Sequence, residues 1–480
     1  MTSSDARDAD ATSIAESCAR GERSVESVVA DAIARAEADP FGAMAEVRAE
    51  LALERARELD RRRAAGEAPG PLHGVPFAIK ANLCARGFET HCGSRLLAGW
   101  RAPYDATSVE RLLAAGAVPR TTHMDEFGMG SSGENSAYEV PRNPRDSGRT
   151  CGGSSSGSAS AVASGVVPFA LGSDTGGSVR QPAAFCGVFG LKPTWGRVSR
   201  HGLVAFASSL DTVGVLARSA RDLERVLAAA SGADGRDATA TTTRFEPRAE
   251  LDGLDGITFG VPTFARGDGL RGDVASAFDA ALERLAGLGA RLVDVEIPQA
   301  EHAVATYYVV ATAEASSNLA RFDGVRYGER VDGDGTLDGM YAATRTHGFG
   351  DEVVRRVLLG THVLSSGFYE AWFDRAARVR RLLSDGFDRA FATVDAVVSP
   401  TAPTRAFELG SVPDPLELYR GDALTIPASL AGLPAVSAPC DVEGLPVGLQ
   451  IVAPRGADAL AIALARAFAP GSVPAAEVVR

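Results

Sequence analysis

The sequence predicts an α/β protein with a mixed central β-sheet covered by helices on both faces. Short apolar runs of strand length alternate with longer segments of helical spacing, the pattern of strands sandwiched between helical layers. The runs are apolar throughout rather than alternating, as strands buried on both faces are. At 480 residues, 45% of them hydrophobic, the chain is long enough to bury a large core.

In order along the chain, residues 12–66 place Ile14, Val28, Val29 and Ile33 among alanines and charges at helical spacing, predicting two or three helices. Pro71–Pro76 is a turn, Phe77–Lys80 a short buried strand, and Thr107–Ala115 a helix ended by Gly116 before a strand near Val118. Asn143–Ser158 is rich in Gly, Ser, Arg and Pro and predicts a loop. Ala159–Gly172 predicts a tightly packed helix leading into a strand, followed by a second Gly/Ser loop through Ser178.

Polar, threonine-rich residues 233–250 predict a surface excursion in preference to a domain linker. Gly256–Val261, Ala290–Val295 and Val394–Ser399 read as strands, Val274–Leu288 as a helix, and 300–390 as mostly helical. Pro427–Pro439 and Gly444–Ala453 add two apolar segments, and no repeat of solenoid or propeller period appears. The chain divides into an N-terminal helical segment, 1–66, packed on a main domain, 67–475, with a largely helical insertion at about 300–390.

The formal net charge of −12 argues against a nucleic-acid-binding stripe. The clusters Arg61–Arg63 and Arg378, Arg380, Arg381 read as solvated helix faces. The six cysteines form no C-x-x-C pair and no zinc-like spacing with histidine, so no metal is expected. Met1–Asp8 lacks the basic flank and apolar run of a signal peptide, and no segment approaches 18 uninterrupted apolar residues. The expectation is a cytoplasmic protein with free thiols and no membrane contact.

Of 49 basic residues only Lys80 and Lys192 are lysine. Arginine supplies charge and anion contacts but cannot be deprotonated in a protein, so a retained lysine points to a role arginine cannot fill. Two loops stand out beside it, Gly152-Gly-Ser-Ser-Ser-Gly-Ser158 and Asp174-Thr-Gly-Gly-Ser178. Neither carries the phosphate-binding G-x-x-x-x-G-K-[ST] pattern. Gly153–Gly157 matches the G-x-S-x-G elbow, but a polar, arginine-containing loop precedes it where that elbow requires a strand. The seven histidines, His73, His91, His123, His201, His302, His347 and His362, lie in no triad-like setting. A serine–lysine pairing is the alternative. It needs a neutral lysine, its pKa brought by burial from about 10.4 towards 7–8. Lys80, ending the apolar run Val75–Lys80, is placed for that; a buried structural ion pair is the competing reading.

The runs Gly74–Lys80, Gly152–Ser158 and Gly172–Thr194 resemble the amidase-signature family, and the likeness extends over roughly residues 10–470. The resemblance implies the amidase-signature fold and these roles: Ser178 attacks an amide carbonyl, Ser154 relays the proton from a cis peptide after Gly153, and neutral Lys80 is the final base. It implies an oxyanion hole from the backbone N–H groups of Thr175, Gly176, Gly177 and Ser178, and a structural place for Lys192.

Within the family, Met124–Ala137, Gly196–Asp211, Glu314–Arg326, Val354–Thr361 and Tyr419–Pro434 resemble the glutaminase A subunits of tRNA-dependent amidotransferases. That implies glutamine as substrate, with Asp422 for its ammonium, one of Arg355 and Arg356, preferably Arg355, for its carboxylate, and Tyr307 or Tyr308 lining the pocket. Bland alternatives are a helix surface for the arginines and a helix cap for Asp422. It also implies no cofactor in this chain, ATP and Mg2+ in a partner, B and C subunits, and misacylated Glu-tRNA(Gln) or Asp-tRNA(Asn) held mainly by the B subunit. Ala81, His123, Cys151 and Ser156 depart from that subgroup's usual aspartate, asparagine, proline and glycine. These departures leave room for a free-standing amidase acting on a small or aryl amide. A catalytically silent scaffold is a third reading, opposed by intact Lys80, Ser154 and Ser178.

Overall fold

A computed structural model describes residues 9–267 and 269–476. Part of the predicted 1–66 segment, and the Met1–Asp8 stretch read for a signal, therefore lie outside the described residues. One sheet of eleven strands organises the chain. They are β1 (Met44–Glu46), β2 (Pro76–Lys80), β3 (Val118–Thr122), β6 (Phe169–Asp174), β7 (Phe189–Lys192), β8 (Thr212–Ala217), β9 (Thr258–Pro262), β10 (Arg291–Val295), β11 (Ala396–Pro400), β12 (Ala435–Pro439) and β13 (Gly448–Val452). The pair β4 (Arg142–Asn143) and β5 (Asp146–Thr150) forms a separate hairpin.

The sheet order is β1-β3-β2-β6-β8-β7-β12-β13-β11-β9-β10. It is mixed: β2 runs parallel to β3 and β6, β9 runs parallel to β10 and β11, and antiparallel strands fill the middle. Most sheet strands are buried from end to end, as a two-faced sheet requires.

The pleat of β2 decides where the site lies. Phe77 and Ile79 point into the large core shared with the helices Ala11–Arg20 and Val25–Glu37, and Phe77 stacks on Phe169 at 5.3 Å. Ala78 points to the other face, against the small-residue helix Ser156–Ala163, and Lys80 shares that face. The helices Ala303–Leu319, Leu337–Gly348, Asp351–Val363 and Arg375–Phe391 fill the 300–390 region. They build a second core around Tyr307, Tyr308, Phe387 and Ile426.

Several elements differ from the sequence reading. The predicted 143–158 loop overlaps the β4–β5 hairpin, which begins at Arg142, and the helix after it starts at Ser156 rather than Ala159. Strands β1, β7 and β8 and the short helix Ile426–Leu430 have no counterpart in that reading. Residues 233–250 form no helix or strand, yet Thr241 N–H donates to Gly196 O (2.8 Å) and Arg197 Nη1 to Thr243 O (2.9 Å), which keeps the segment on the same body. Arg378 and Arg381 are solvated, but Arg380 reaches inward to Leu430 O (2.9 Å) and Ser209.

Candidate active site

Parallel β2 and β6 end side by side, and the loops that follow them carry the chemistry, the usual location for a site in a sheet with parallel strands. Lys80, the last residue of β2, is fully buried. Its Nζ lies 2.7 Å from Ser154 Oγ, 2.9 Å from Ser173 Oγ and 3.3 Å from Ser173 O. No carboxylate touches it among the described residues. Burial lowers the Lys80 pKa to about 7, against the raising charges of Asp125, Asp174 and Asp211. Burial alone does not single this lysine out: Lys192 is also enclosed and lowered to about 7, yet among the described residues its Nζ hydrogen-bonds to Pro193 O alone, at 3.1 Å. Geometry separates the two.

Ser154 follows the cis Gly153–Ser154 peptide. Gly153 N–H donates to Gln181 Oε1 (2.9 Å), and a side chain there would strike Asp125 Oδ2 at 2.0 Å, so only glycine fits. Ser155 N–H donates to Ser178 O (3.1 Å), which ties the two glycine-serine loops together. Ser178 is the most accessible of the three groups, 9% exposed against 1% for Ser154 and none for Lys80.

The Thr175–Ser178 turn is held at both ends. Before it, Asp174 forms a bidentate pair with Arg180 (2.8 and 3.0 Å) and accepts Val179 N–H (3.1 Å). Burial would raise the Asp174 pKa, but the Arg180 guanidinium outweighs it and holds the carboxyl below its ordinary value. Arg180 also donates to Thr425 O, Gln450 Oε1 and Ser429 Oγ. Thr175 Oγ1 donates to Asp211 Oδ1 (2.7 Å), and Asp211 in turn accepts Phe206 and Ala207 N–H. None of the backbone N–H groups of Thr175, Gly176, Gly177 and Ser178 meets an acceptor among the described residues. They are donors available to an oxyanion.

The pocket residues surround that turn. A side chain on Gly176 would meet the Tyr307 ring at 2.8 Å, and one on Gly177 would meet Thr425 Oγ1 at 2.2 Å and Asp422 Oδ1 at 3.2 Å. Asp422 is buried; its Oδ2 accepts from Ser131 Oγ, while Oδ1 has no partner among the described residues. Burial pushes its pKa up to about 7 against the Ser131 hydrogen bond and the Arg356 charge. A buried carboxylate oxygen so placed is suited to accept from a cationic donor.

Arg355 and Arg356 share Glu352: Arg355 Nη1 donates to Oε2 and Arg356 Nε to Oε1 (2.7 Å). Arg356 is buried between Tyr308 (5.1 Å), Tyr419 (5.3 Å) and Phe206 (5.7 Å). Arg355 is half exposed at the rim, where Tyr419 Oη donates to Glu352 Oε1 (2.7 Å). Tyr308 stacks on Tyr419 at 3.9 Å, behind Tyr307.

Of the four departures, Ala81 is buried and puts no charge beside Lys80, and Cys151 donates its thiol to Pro141 O (3.4 Å). Ser156 Oγ is buried without a partner among the described residues. His123 packs with His91 and Tyr138, and burial lowers its pKa to about 4. Ser173, Asp125, Asp211, Gln181, Ser131, Thr425 and Glu352 have no role in the sequence reading. Asp125 and Ser131 lie in the Met124–Ala137 stretch and Ser173 inside the Gly172–Ser178 loop, but only tertiary contact shows what they touch. Among the described residues no group of His, Cys, Asp and Glu is arranged to hold a metal ion, and no helix is long and apolar enough to cross a membrane.

The profile of the family described as Amidase matches residues 27–462. The sequence is 51% identical over 457 residues to the A subunit of the glutamyl-tRNA(Gln) amidotransferase of Symbiobacterium thermophilum, covering 93% of each chain. The crystal structure of the corresponding chain from Thermotoga maritima aligns with a TM-score of 0.75 at 44% identity, over 86% of this chain and 88% of that one. A chain from a protein complex bearing on the origins of an s-triazine catabolic enzyme aligns with a TM-score of 0.84 at 32% identity, over 98% of this chain and 100% of that one.

Proposed function

This chain belongs to the amidase family, and from that premise we propose that it is the glutamine-hydrolysing A subunit of a tRNA-dependent amidotransferase. The observation that carries the chemistry is the 2.7 Å contact between a buried Lys80 Nζ and Ser154 Oγ. The observation that favours glutamine is the likeness, at about half identity, to amidotransferase chains acting with glutamyl-tRNA(Gln), together with the unpartnered Asp422 Oδ1.

At neutral pH a lysine with its pKa near 7 is unprotonated in a large fraction of molecules. Its two N–H groups then serve Ser173 O and Oγ, which leaves the lone pair for the Ser154 hydroxyl. As Ser178 Oγ attacks the glutamine side-chain carbonyl, its proton passes to Ser154 and the Ser154 proton to Lys80. The developing oxyanion is met by the N–H groups of Thr175, Gly176, Gly177 and Ser178. Collapse returns the proton by the same route to the leaving nitrogen, which departs as ammonia. The γ-glutamyl ester on Ser178 is then hydrolysed by water to glutamate.

Asp422 receives the glutamine ammonium through Oδ1. Arg355, whose guanidinium remains accessible at the rim, receives the carboxylate. Arg356, enclosed by aromatic rings, fixes Glu352 and the floor of the pocket. Tyr307 and Tyr308 form its wall.

The ammonia is passed to a B subunit that amidates misacylated Glu-tRNA(Gln) or Asp-tRNA(Asn), using ATP and Mg2+ bound there, with a C subunit completing a cytoplasmic assembly. The net charge of −12 fits a chain that leaves RNA to its partner. An independent amidase is the second reading, which the departures at Ala81, His123, Cys151 and Ser156 leave open. Co-expression with B and C subunits, followed by ammonia-release assays, separates the two. Glutaminase activity that rises on assembly and with tRNA supports the amidotransferase reading. Rapid turnover of simple aliphatic amides by the isolated chain, with none of glutamine, overturns it.

A further inference from the structure

Asp125 lies beneath the first glycine-serine loop with its side chain wholly enclosed. Its Oδ1 accepts Asn135 N–H (2.9 Å) and its Oδ2 accepts Gly133 N–H (3.0 Å). Its own N–H donates to Ser154 O (3.2 Å), and Oδ2 abuts the face of Gly153 on which a side chain would stand. One residue therefore grips the relay serine through its backbone and presses on the preceding glycine through its carboxylate.

The charges facing Lys80 from the elements around it are Asp125, Asp174 and Asp211, with the Cys92 thiol. They are not equivalent. Asp174 is neutralised by Arg180, and Asp211 faces Thr175 and the Phe206–Ala207 amides. Asp125 is fixed by two amides and pairs with no cation among the described residues; burial pushes its pKa up to about 7 against the Asn135 and Gly133 amides and the facing charges of Lys80 and Arg356, so it carries its charge above that point. A proton arriving on a buried lysine creates a charge that needs a counter-charge already in place, because water is excluded.

We propose that Asp125 is the positioning residue of the proton relay: it holds Ser154 against Lys80 and supplies the counter-charge as Lys80 takes up the proton. This rests on the assignment of Ser178, Ser154 and Lys80 above. Asp125 touches neither substrate nor the reacting atoms and acts through Ser154 and Lys80.

The test is the pH profile of amide hydrolysis by the assembled enzyme carrying Asp125→Asn, taken with an amide lacking the α-ammonium so that titration of Asp422 does not set the acid limb. Removing the negative charge makes Lys80 easier to deprotonate, so the acid limb of kcat/KM moves down by about one unit. At the same time kcat falls at least about tenfold, because the protonated lysine loses its counter-charge, while KM for that amide stays within about threefold. Asp125→Glu keeps the charge and displaces it by one methylene; its limb stays with the unmodified enzyme while kcat falls. An unmoved limb in Asp125→Asn, or a rate within about twofold of normal, overturns the proposal.

Asparagine sets an amide N–H against a backbone N–H, so Asp125→Ser is the second charge-removing variant and must show the same shift. If neither folds, by thermal melting, Asp125 belongs to the core alone and the proposal falls. Ser178→Ala runs in parallel: full activity there overturns the relay assignment itself, whereas loss there with an unmoved Asp125→Asn limb overturns only this inference.

Discussion

Lys80 Nζ stands 2.7 Å from Ser154 Oγ at the end of β2, and no carboxylate reaches it among the described residues. A lysine so enclosed is arranged to be neutral rather than paired. Its second bonding partner, Ser173, comes from the end of the parallel neighbour β6, so the sheet itself aims the base at the relay serine.

Replacing Lys80 tests whether neutrality matters. Arginine keeps the charge and much of the length but cannot give up its proton. Lys80→Arg should lower kcat/KM for glutamine by about 10²–10⁴, the usual range for loss of a general base, with thermal melting confirming the fold.

The pH dependence follows from the sign of the shift. Lys80 is active unprotonated and its pKa lies near 7, so kcat/KM should fall about tenfold per pH unit below that point. Asp422, also pushed up to about 7, must be ionised to receive an ammonium, so its protonation adds to the same acid loss. A pH–rate profile for glutamine, compared with one for an amide lacking the α-ammonium, separates the two: only the first contains the Asp422 contribution.

Asp422→Asn removes the charge that faces the glutamine ammonium and keeps the hydrogen bond with Ser131. A charge-assisted hydrogen bond contributes about 1.5–3 kcal/mol, so KM for glutamine should rise about 10- to 150-fold. Steady-state kinetics with glutamine and with that amide check this, because the amide should be indifferent to the change.

The arginine pair makes opposite predictions. Arg355→Met removes an accessible guanidinium and should raise KM for glutamine about tenfold or more with little effect on the melting temperature. Arg356→Met leaves Glu352 buried against Tyr419 without its inner cation, and should lower the melting temperature by several degrees as well as activity. The reverse pattern would assign the carboxylate to Arg356.

Gly177→Ala places a methyl group 2.2 Å from Thr425 Oγ1, which donates to Gly176 O at 2.7 Å. The turn must shift, and its N–H groups leave the oxyanion position. The expected loss is about 10²–10³ in kcat, measured beside a melt that shows the protein still folded.

The sequence exposes the base more readily than its surroundings. Lys80 is conspicuous because arginine serves nearly every other basic position, and the two glycine-serine loops are long, distinctive runs. The strands β7 and β8 are not conspicuous, although they lie beside the site. Gly190 packs against Ala183 and Gly214 against Leu191 O so closely that side chains there would fall 2.5 Å from their neighbours. Glycine at the tightest crossings erases the apolar pattern that marks a strand. The hairpin β4–β5 and the edge strand β1 are short, 2 to 5 residues in each strand, and exist only through pairing. Asp125, Ser173 and Asp211 act on residues distant in sequence or through backbone atoms, and no spacing rule announces that. Lys192 shows the limit of the scarcity argument, since it is equally buried, yet its hydrogen bond among the described residues goes to a carbonyl, Pro193 O, and not to a serine hydroxyl.

The proposed reaction requires Ser178 to carry the γ-glutamyl group during turnover. The direct measurement is acid quenching of the assembled enzyme with isotopically labelled glutamine at saturating concentration, followed by peptide mass spectrometry. A γ-glutamyl ester should appear on the peptide holding Ser178, be absent in Ser178→Ala and be greatly reduced in Lys80→Arg. Steady glutamine hydrolysis with the label on another residue, or with turnover retained in Ser178→Ala, would contradict it.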